Sequence, residues 1–137
     1  MDITADALVR LNDNPLYRVL GIHLHEALAG SARATLIPNP QVCWPSPPQP
    51  HGGILFTVMD TTMAFAVMSV AEPGRGCATV DCSIQYPAPA RDGPFVCTAV
   101  AAKNSGRTVF VRGEITDAHG LVVAFGQATF RIVAAKT

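Results

Sequence analysis

Residues 54–70 read ILFTVMDTTMAFAVMSV, an apolar run in which Asp60 is the one ionisable side chain. A helix that is apolar on every side is typical of a protein interior, so this run predicts a buried core helix. Its length is at the lower limit for a membrane span, and a carboxylate near the middle argues against one. Burying Asp60 is costly unless the carboxylate is paired, protonated or hydrated by a functional site.

The helix is preceded by His51-Gly52-Gly53, which leaves backbone N–H groups bare at the helix start. Such groups attract an anion, and glycine lets a substrate approach the backbone closely. A carboxylate and an exposed amide are two parts of a hydrolytic site. Two structural alternatives stay open: the glycines could serve a tight turn with positive φ, and Asp60 could bond to Thr61, Thr62 or a backbone N–H.

Shorter elements are predicted on both sides of the helix. Before it, we expect short helices over Ala5–Leu11 and from Asn14-Pro15 to Leu20, then a hairpin of strands Ile22–Ala27 and Ala32–Ile37. Pro38–Pro50 is predicted as a proline-rich loop that joins neither helix nor sheet interior. After the helix, short turns imply an antiparallel meander of four strands, Ala78–Tyr86, Phe95–Ala102, Thr108–Thr116 and Leu121–Val133.

These elements predict one α+β domain over residues 1–137, in which a curved antiparallel sheet wraps around one long central helix. A wrapped sheet accounts for both sequence patterns: it covers a helix that is apolar on all sides, and it uses strands in which apolar and polar residues alternate. An edge of the sheet and part of the helix stay uncovered, so we expect a homodimer or a dimer of dimers.

The composition excludes several classes of protein. With 49% hydrophobic and 15% charged residues the chain is expected to fold, and its ten basic and ten acidic residues give no nucleic-acid footprint. The N-terminus is too weakly apolar for a signal peptide, and the four cysteines match no zinc or redox spacing. We therefore expect free thiols, no metal and a cytoplasmic protein.

The segment HGGILFTVMDTTMAFAVMS places an acidic residue nine positions after the histidine. With the N-terminal Asn14-Pro15-Leu16, the strand around Val80–Tyr86 and the turn Ser105-Gly106-Arg107, it resembles the hotdog-fold acyl-CoA thioesterases. The similarity is to their phenylacetate-degradation and 4-hydroxybenzoyl-CoA thioesterase branches, and it covers nearly the whole chain. It implies hydrolysis of an acyl- or aryl-CoA to free acid and CoA, with no cofactor, since coenzyme A is part of the substrate.

The resemblance also assigns residues. By it, Asp60 is the catalytic carboxylate, acting as general base or as nucleophile, and the Gly52 N–H polarises the thioester carbonyl. His51 shapes the site, and Thr79 lies where the family often has a hydroxyl near the attacking water. One position departs from the family pattern: Pro45 replaces the usual Asn or Gln six residues before the histidine, and Gln49 or Ser46 is the candidate substitute.

Four further residues are candidates for substrate contacts. Gly53 lies at the helix start, Met63 is expected to help set the depth of the acyl pocket, and Gly106 and Arg107 form a turn that could meet the CoA phosphates.

Gly52 and Asp60 lie eight positions apart, or about 12 Å along one helix, too far to act on one thioester. Two antiparallel copies would solve this, each giving Gly52 to one site and Asp60 to the other. A hotdog hydratase or dehydratase and a non-catalytic acyl-CoA binder remain the alternative functions.

Overall fold

The computed structural model describes residues 2–44 and 49–134. Its elements, in chain order, are α1 (Ala5–Asn12), α2 (Pro15–Leu20), β1 (Ile22–Leu28), β2 (Ser31–Leu36), α3 (Pro40–Cys43), α4 (Gly52–Val70), β3 (Gly76–Gln85), β4 (Phe95–Ser105), β5 (Thr108–Thr116) and β6 (Val122–Val133).

The six strands form one antiparallel sheet in the order β1-β2-β4-β5-β6-β3, and α4 packs against every one of them. The predicted architecture, an antiparallel sheet around one long central helix, is confirmed. Strands β1 and β3 lie at the two edges of this sheet.

The central helix α4 is long and apolar enough to cross a membrane, but it is the core helix of the fold. Its sheet-facing side is fully buried, and the fit is tight at Gly113 of β5. A Cβ on Gly113 would lie 2.6 Å from Met59 Sδ and 3.0 Å from Met63 Cε, so glycine there makes room for both methionines. Each large apolar side chain buried in this way contributes about 1.5–3 kcal/mol.

Two predictions about the chain path were wrong. The last four strands are not a meander, because β3 pairs with β6 at the sheet edge and β4 pairs with β2 and β5. The segment Pro38–Pro50 contains a short helix, α3, since Pro40 stands at the first helical turn, where no backbone donor is needed, and Asn39 caps it.

Edge strand β3 presents different side chains to the two faces of the sheet. The ladder with β6 shifts register between Thr79 and Asp81, which marks a bulge at Val80. Because of the bulge, Thr79 and Cys82 both face α4, while Asp81 faces outward. Strand β3 is the least buried in the sheet, and the side of α4 that carries Asp60 is only partly covered.

Candidate active site

Asp60 lies half-buried in the middle of α4, next to β3. The Thr79 hydroxyl donates a hydrogen bond to Asp60 Oδ1 at 2.8 Å, and no described residue donates to Oδ2. The bond and the partial exposure remove most of the cost of placing a charge in an apolar helix. Thr62, which the sequence also offered as a hydrogen-bond partner of Asp60, donates instead to the Val58 carbonyl at 2.6 Å.

Two thiols of β3 lie close to the Asp60 carboxylate. Burial, and secondly the charge of Asp60, raises the pKa of the Cys77 thiol to about 11, and the same two causes, followed by Asp81, raise that of Cys82 to about 11. The Cys77 thiol also donates a hydrogen bond to the Ala64 carbonyl, with 3.6 Å between sulfur and oxygen. Both side chains are therefore neutral at physiological pH and do not compete with Asp60 as nucleophiles.

A phenol from α2 approaches the same side of α4. Burial raises the pKa of Tyr17, the hydroxyl of Thr61 lowers it, and the charge of Asp60 raises it. The Tyr17 ring packs edge-on against Phe65, with 6.5 Å between centroids. Tyr17 is thus a protonated, partly buried hydroxyl in the neighbourhood of the carboxylate.

The start of α4 is capped by His51. Its Nδ1 accepts a hydrogen bond from the Gly53 N–H at 2.8 Å, and its backbone N–H donates to the Cys43 carbonyl at 2.7 Å. A Cβ on Gly53 would lie 3.0 Å from His51 Nδ1, so this glycine makes room for the capping ring. Neither Gly52 nor Gly53 has a positive φ, which removes the tight-turn explanation for the pair.

Gly52 is covered by Tyr86, which follows β3. The Tyr86 hydroxyl donates to the Gly52 carbonyl at 2.8 Å, and a Cβ on Gly52 would lie 3.4 Å from the Tyr86 ring. No described residue accepts from the Gly52 N–H. Among the described residues, the Gly53 N–H is therefore bound by His51, and the Gly52 N–H has no acceptor.

Comparison with known proteins gives this site a chemical context. A sequence model of the thioesterase superfamily matches residues 51–124, which include the capped helix start, Asp60 and Thr79. The chain belongs to the thioesterase superfamily. It is therefore a thioester hydrolase. It is also 30% identical to a Halobacterium salinarum protein named "Putative esterase VNG_1336C", over 93% of this chain and 92% of that one.

Solved structures of other proteins share the fold of this thioesterase. Conserved protein PA5202 of Pseudomonas aeruginosa is 28% identical with a TM-score of 0.80, over 88% of this chain and 94% of that one. Thioesterase HI1161 of Haemophilus influenzae has a TM-score of 0.87 at 18% identity (98% and 93% covered). The Escherichia coli PaaI protein, from the phenylacetic acid degradation operon, has a TM-score of 0.82 at 22% identity (93% and 91% covered). The fold is therefore the hotdog fold expected from the resemblance.

Other residues predicted for the thioesterase site lie in several places. Gln49 is half-buried just before the helix cap, and Pro45 and Ser46 fall outside the described residues. Gly106 and Arg107 form the exposed turn between β4 and β5, at the end of the sheet where β3 begins. Met63 is fully buried against Gly113, on the sheet-facing side of α4, and we leave it out of the proposed site.

Sequence reasoning gave no role to four side chains around the site: Tyr17, Cys77, Cys82 and Tyr86. Tyr86 lies in the segment that carries the family resemblance, which was a usable signal. The others depend on α2 and β3 packing beside α4, which no local pattern reveals. In residues 2–44 and 49–134 no three His, Cys, Asp or Glu side chains are grouped as metal ligands would be.

A cavity of about 630 Å³ lies farther along α4, between its C-terminal end and α1. It is lined by apolar side chains such as Ile3, Leu11 and Met68 together with charged ones such as Asp2 and Arg10, and by none of the candidate catalytic residues.

Proposed function

We propose that this thioesterase hydrolyses acyl-CoA or aryl-CoA to free acid and CoA, in a single domain and without a cofactor. The observation that carries the proposal is the hydrogen bond from Thr79 to Asp60 on the uncovered side of α4. It holds one carboxylate oxygen in place and leaves Oδ2 facing a side of the helix that the chain itself covers only in part.

Asp60 activates the reaction through this second oxygen. As a general base it takes a proton from water, which then attacks the thioester carbon; as a nucleophile it attacks directly and gives a mixed anhydride that water cleaves. In either route the carbonyl oxygen becomes negative and the CoA thiolate departs. The Gly52 N–H at a helix start is suited to stabilise that oxygen, because the helix dipole favours negative charge there.

The two groups belong to different copies of the chain in this proposal. Gly52 and Asp60 are about 12 Å apart along α4, whereas a donor must lie about 3 Å from the oxyanion. Strand β3 is an exposed edge, with Val80 65% exposed, and such an edge is a template for pairing with another strand. Antiparallel pairing of two β3 edges about a two-fold axis would bring each Gly52 toward the other copy's Asp60.

Coenzyme A is the proposed leaving group because the family hydrolyses thioesters and because Arg107, in an exposed turn, is suited to bind phosphates. The four free thiols fit a reducing compartment, so we propose a cytoplasmic location. A hydratase and a non-catalytic binder remain less well supported, because membership of the thioesterase superfamily favours hydrolysis.

Thiol release from a panel of CoA esters tests the proposal. Acetyl-, hexanoyl-, decanoyl-, benzoyl- and phenylacetyl-CoA are supplied to the wild type and to Asp60→Asn, and the signal is corrected for the protein's own thiols. We expect at least one good substrate, and a fall in kcat of about 10²–10⁴-fold in Asp60→Asn with the melting temperature kept. Asp6→Asn, an exposed carboxylate on α1, is the matched control. Full activity in Asp60→Asn would overturn the assignment.

A further inference from the structure

The peptide between Gly52 and Gly53 is fixed at both of its ends. Its carbonyl accepts the Tyr86 hydroxyl at 2.8 Å, and its N–H donates to His51 Nδ1 at 2.8 Å. Because a peptide is planar, two opposed hydrogen bonds set the orientation of the whole unit. The ring proton of His51 therefore lies on Nε2, since Nδ1 is the acceptor.

The preceding peptide carries the Gly52 N–H. Its own carbonyl, that of His51, accepts from the Ile54 N–H at 2.9 Å and so points into the helix. In a trans peptide the N–H points opposite to the carbonyl, so the Gly52 N–H points out of the helix start. The two peptides meet at the Cα of Gly52, which offers the backbone more freedom than any other residue type.

We propose that His51 and Tyr86 form a peptide clamp that aims the Gly52 N–H, and that Tyr86 is a positioning residue of the thioesterase. This inference rests on the proposed function, in which that N–H stabilises the oxyanion. Without the Tyr86 hydroxyl, the Gly52 carbonyl keeps only the i to i+4 hydrogen bond of the first helical turn, and the Gly52–Gly53 unit is held less firmly against tilting. A displacement of about 1 Å in such a group can cost about 10²-fold in rate.

The clamp also connects to one strand the two groups that each chain gives, one to each of the two sites. Tyr86 directly follows β3, and the same strand supplies Thr79, which holds Asp60. A purely structural role explains Tyr86 less well. Its side chain is 45% exposed, so its burial contributes little to the core, and its hydroxyl does not need a protein partner at that exposure.

The test is Tyr86→Phe, which keeps the ring over Gly52 and removes only the hydroxyl. We expect kcat to fall about 10- to 100-fold, with KM within about twofold and an unchanged melting temperature. The matched control is Thr35→Val, which removes a hydroxyl that makes a 2.8 Å hydrogen bond to His25 away from the site, and which should keep the wild-type kcat. Unchanged kcat in Tyr86→Phe, or a rise in KM alone, would overturn the clamp.

A second pair of variants tests the histidine end and covers the case in which Tyr86→Phe does not fold. His51→Ala removes the acceptor for the Gly53 N–H, whereas His51→Asn supplies another oxygen acceptor at the N-cap. We expect the Asn variant to recover most of the kcat that the Ala variant loses. Equal losses in both variants would overturn the clamp.

The same assays separate this inference from the proposed function. If Asp60→Asn is inactive and Tyr86→Phe is fully active, the clamp fails and the proposed function stands. If Asp60→Asn hydrolyses CoA esters like the wild type, the proposed function itself fails.

Discussion

Replacing Gly52 with proline would remove one N–H group and leave the start of α4 largely as it is. Proline is favoured at the first helical position, where its missing N–H is not used by the helix. Gly52 has no positive φ, and His51 before it is extended, at φ −60° and ψ 138°, as a residue before proline must be. The added Cβ would meet the Tyr86 ring at 3.4 Å, an ordinary contact.

The expected loss follows from the role of the amide. Removing one oxyanion donor costs about 10²–10³-fold in kcat, or roughly 2.7–4 kcal/mol of transition-state stabilisation. Gly52→Ala is the matched variant, because it adds the same Cβ and keeps the N–H. It should lose much less activity than Gly52→Pro, and both should keep the wild-type melting temperature to within a few degrees.

Mixing two inactive variants then tests whether the site is shared between copies. Random exchange of equal amounts of Gly52→Pro and Asp60→Asn chains makes about half of the dimers mixed. In each mixed dimer one site has both intact groups and the other has neither. The mixture should therefore regain about one quarter of the wild-type activity, which is half of the sites in half of the dimers.

The assay is thiol release from the best CoA ester, measured before and after co-refolding the two variants. Native mass spectrometry of the mixture confirms that mixed dimers have formed. If mixed dimers are present and no activity returns, the shared site is refuted, because a site inside one chain cannot be restored by mixing. Wild-type activity in Gly52→Pro alone would refute the oxyanion role of this amide.

Two further predictions concern the surroundings of Asp60. Thr79→Val removes the hydrogen bond to Oδ1 at nearly constant volume, and we expect kcat/KM to fall about tenfold, measured by initial rates alongside a melting curve. Iodoacetamide should alkylate Cys77 and Cys82 slowly at neutral pH and faster as the pH rises toward about 11, where the thiolates form. Asp60→Asn removes a negative charge that raises both pKa values, so it should speed the alkylation of Cys77 and Cys82. Cys97, whose pKa of about 12 owes nothing to Asp60, should react at the same rate in both proteins. Peptide mass spectrometry measures all three cysteines, and equal rates for Cys77 and Cys82 in the two proteins would contradict their closeness to Asp60.

The core of the fold could be predicted because its signals are local. The run from Ile54 to Val70 has no polar face, so it had to be covered on most sides, and the alternating strands were the only elements able to do so. The bounds of α1, α2 and the β1–β2 hairpin follow from caps and turns such as Asn14-Pro15 and Gly30, which act within a few residues.

The order of the strands could not be predicted in the same way. Strand β3 follows α4 and looks like the first strand of a meander, but it pairs with β6 at the far edge. Strand pairing is decided by contacts between residues far apart in the chain. The nine residues between β3 and β4, which include Pro87 and Pro89, do not form the tight turn that a hairpin needs. The bulge at Val80 is equally hidden, although it decides which β3 side chains face Asp60.

The candidate site was therefore predicted unevenly. The resemblance gave Thr79 a role near the attacking water, and in the structure its hydroxyl bonds to Asp60, whereas Tyr86 and Tyr17 were given no role. A carboxylate in an apolar run can be recognised from the sequence alone. A hydroxyl that reaches a glycine 34 positions earlier in the chain is visible only after folding.

If the two sites are shared as proposed, the pairing register of β3 becomes part of the active site. Within each chain, Thr79 contacts Asp60 and Tyr86 contacts Gly52. For one chain's Gly52 to reach the other chain's Asp60, the partner's Tyr86 must therefore lie beside Thr79. This pairing places the two-fold axis midway between the two positions, near Cys82. A slip of two residues would move the partner's Gly52 by about 7 Å, well beyond the roughly 3 Å reach of an oxyanion donor. A slip of one residue would turn the partner's sheet over, so that its α4 would lie on the opposite face of the joined sheet. The alternation of Asp81, Ser83 and Gln85 outward with Cys82 and Ile84 inward opposes the one-residue slip, because it keeps the apolar faces of both strands on one side of the joined sheet. A slip of two residues preserves the alternation, so the packing of the two chains against each other has to set that step of the register.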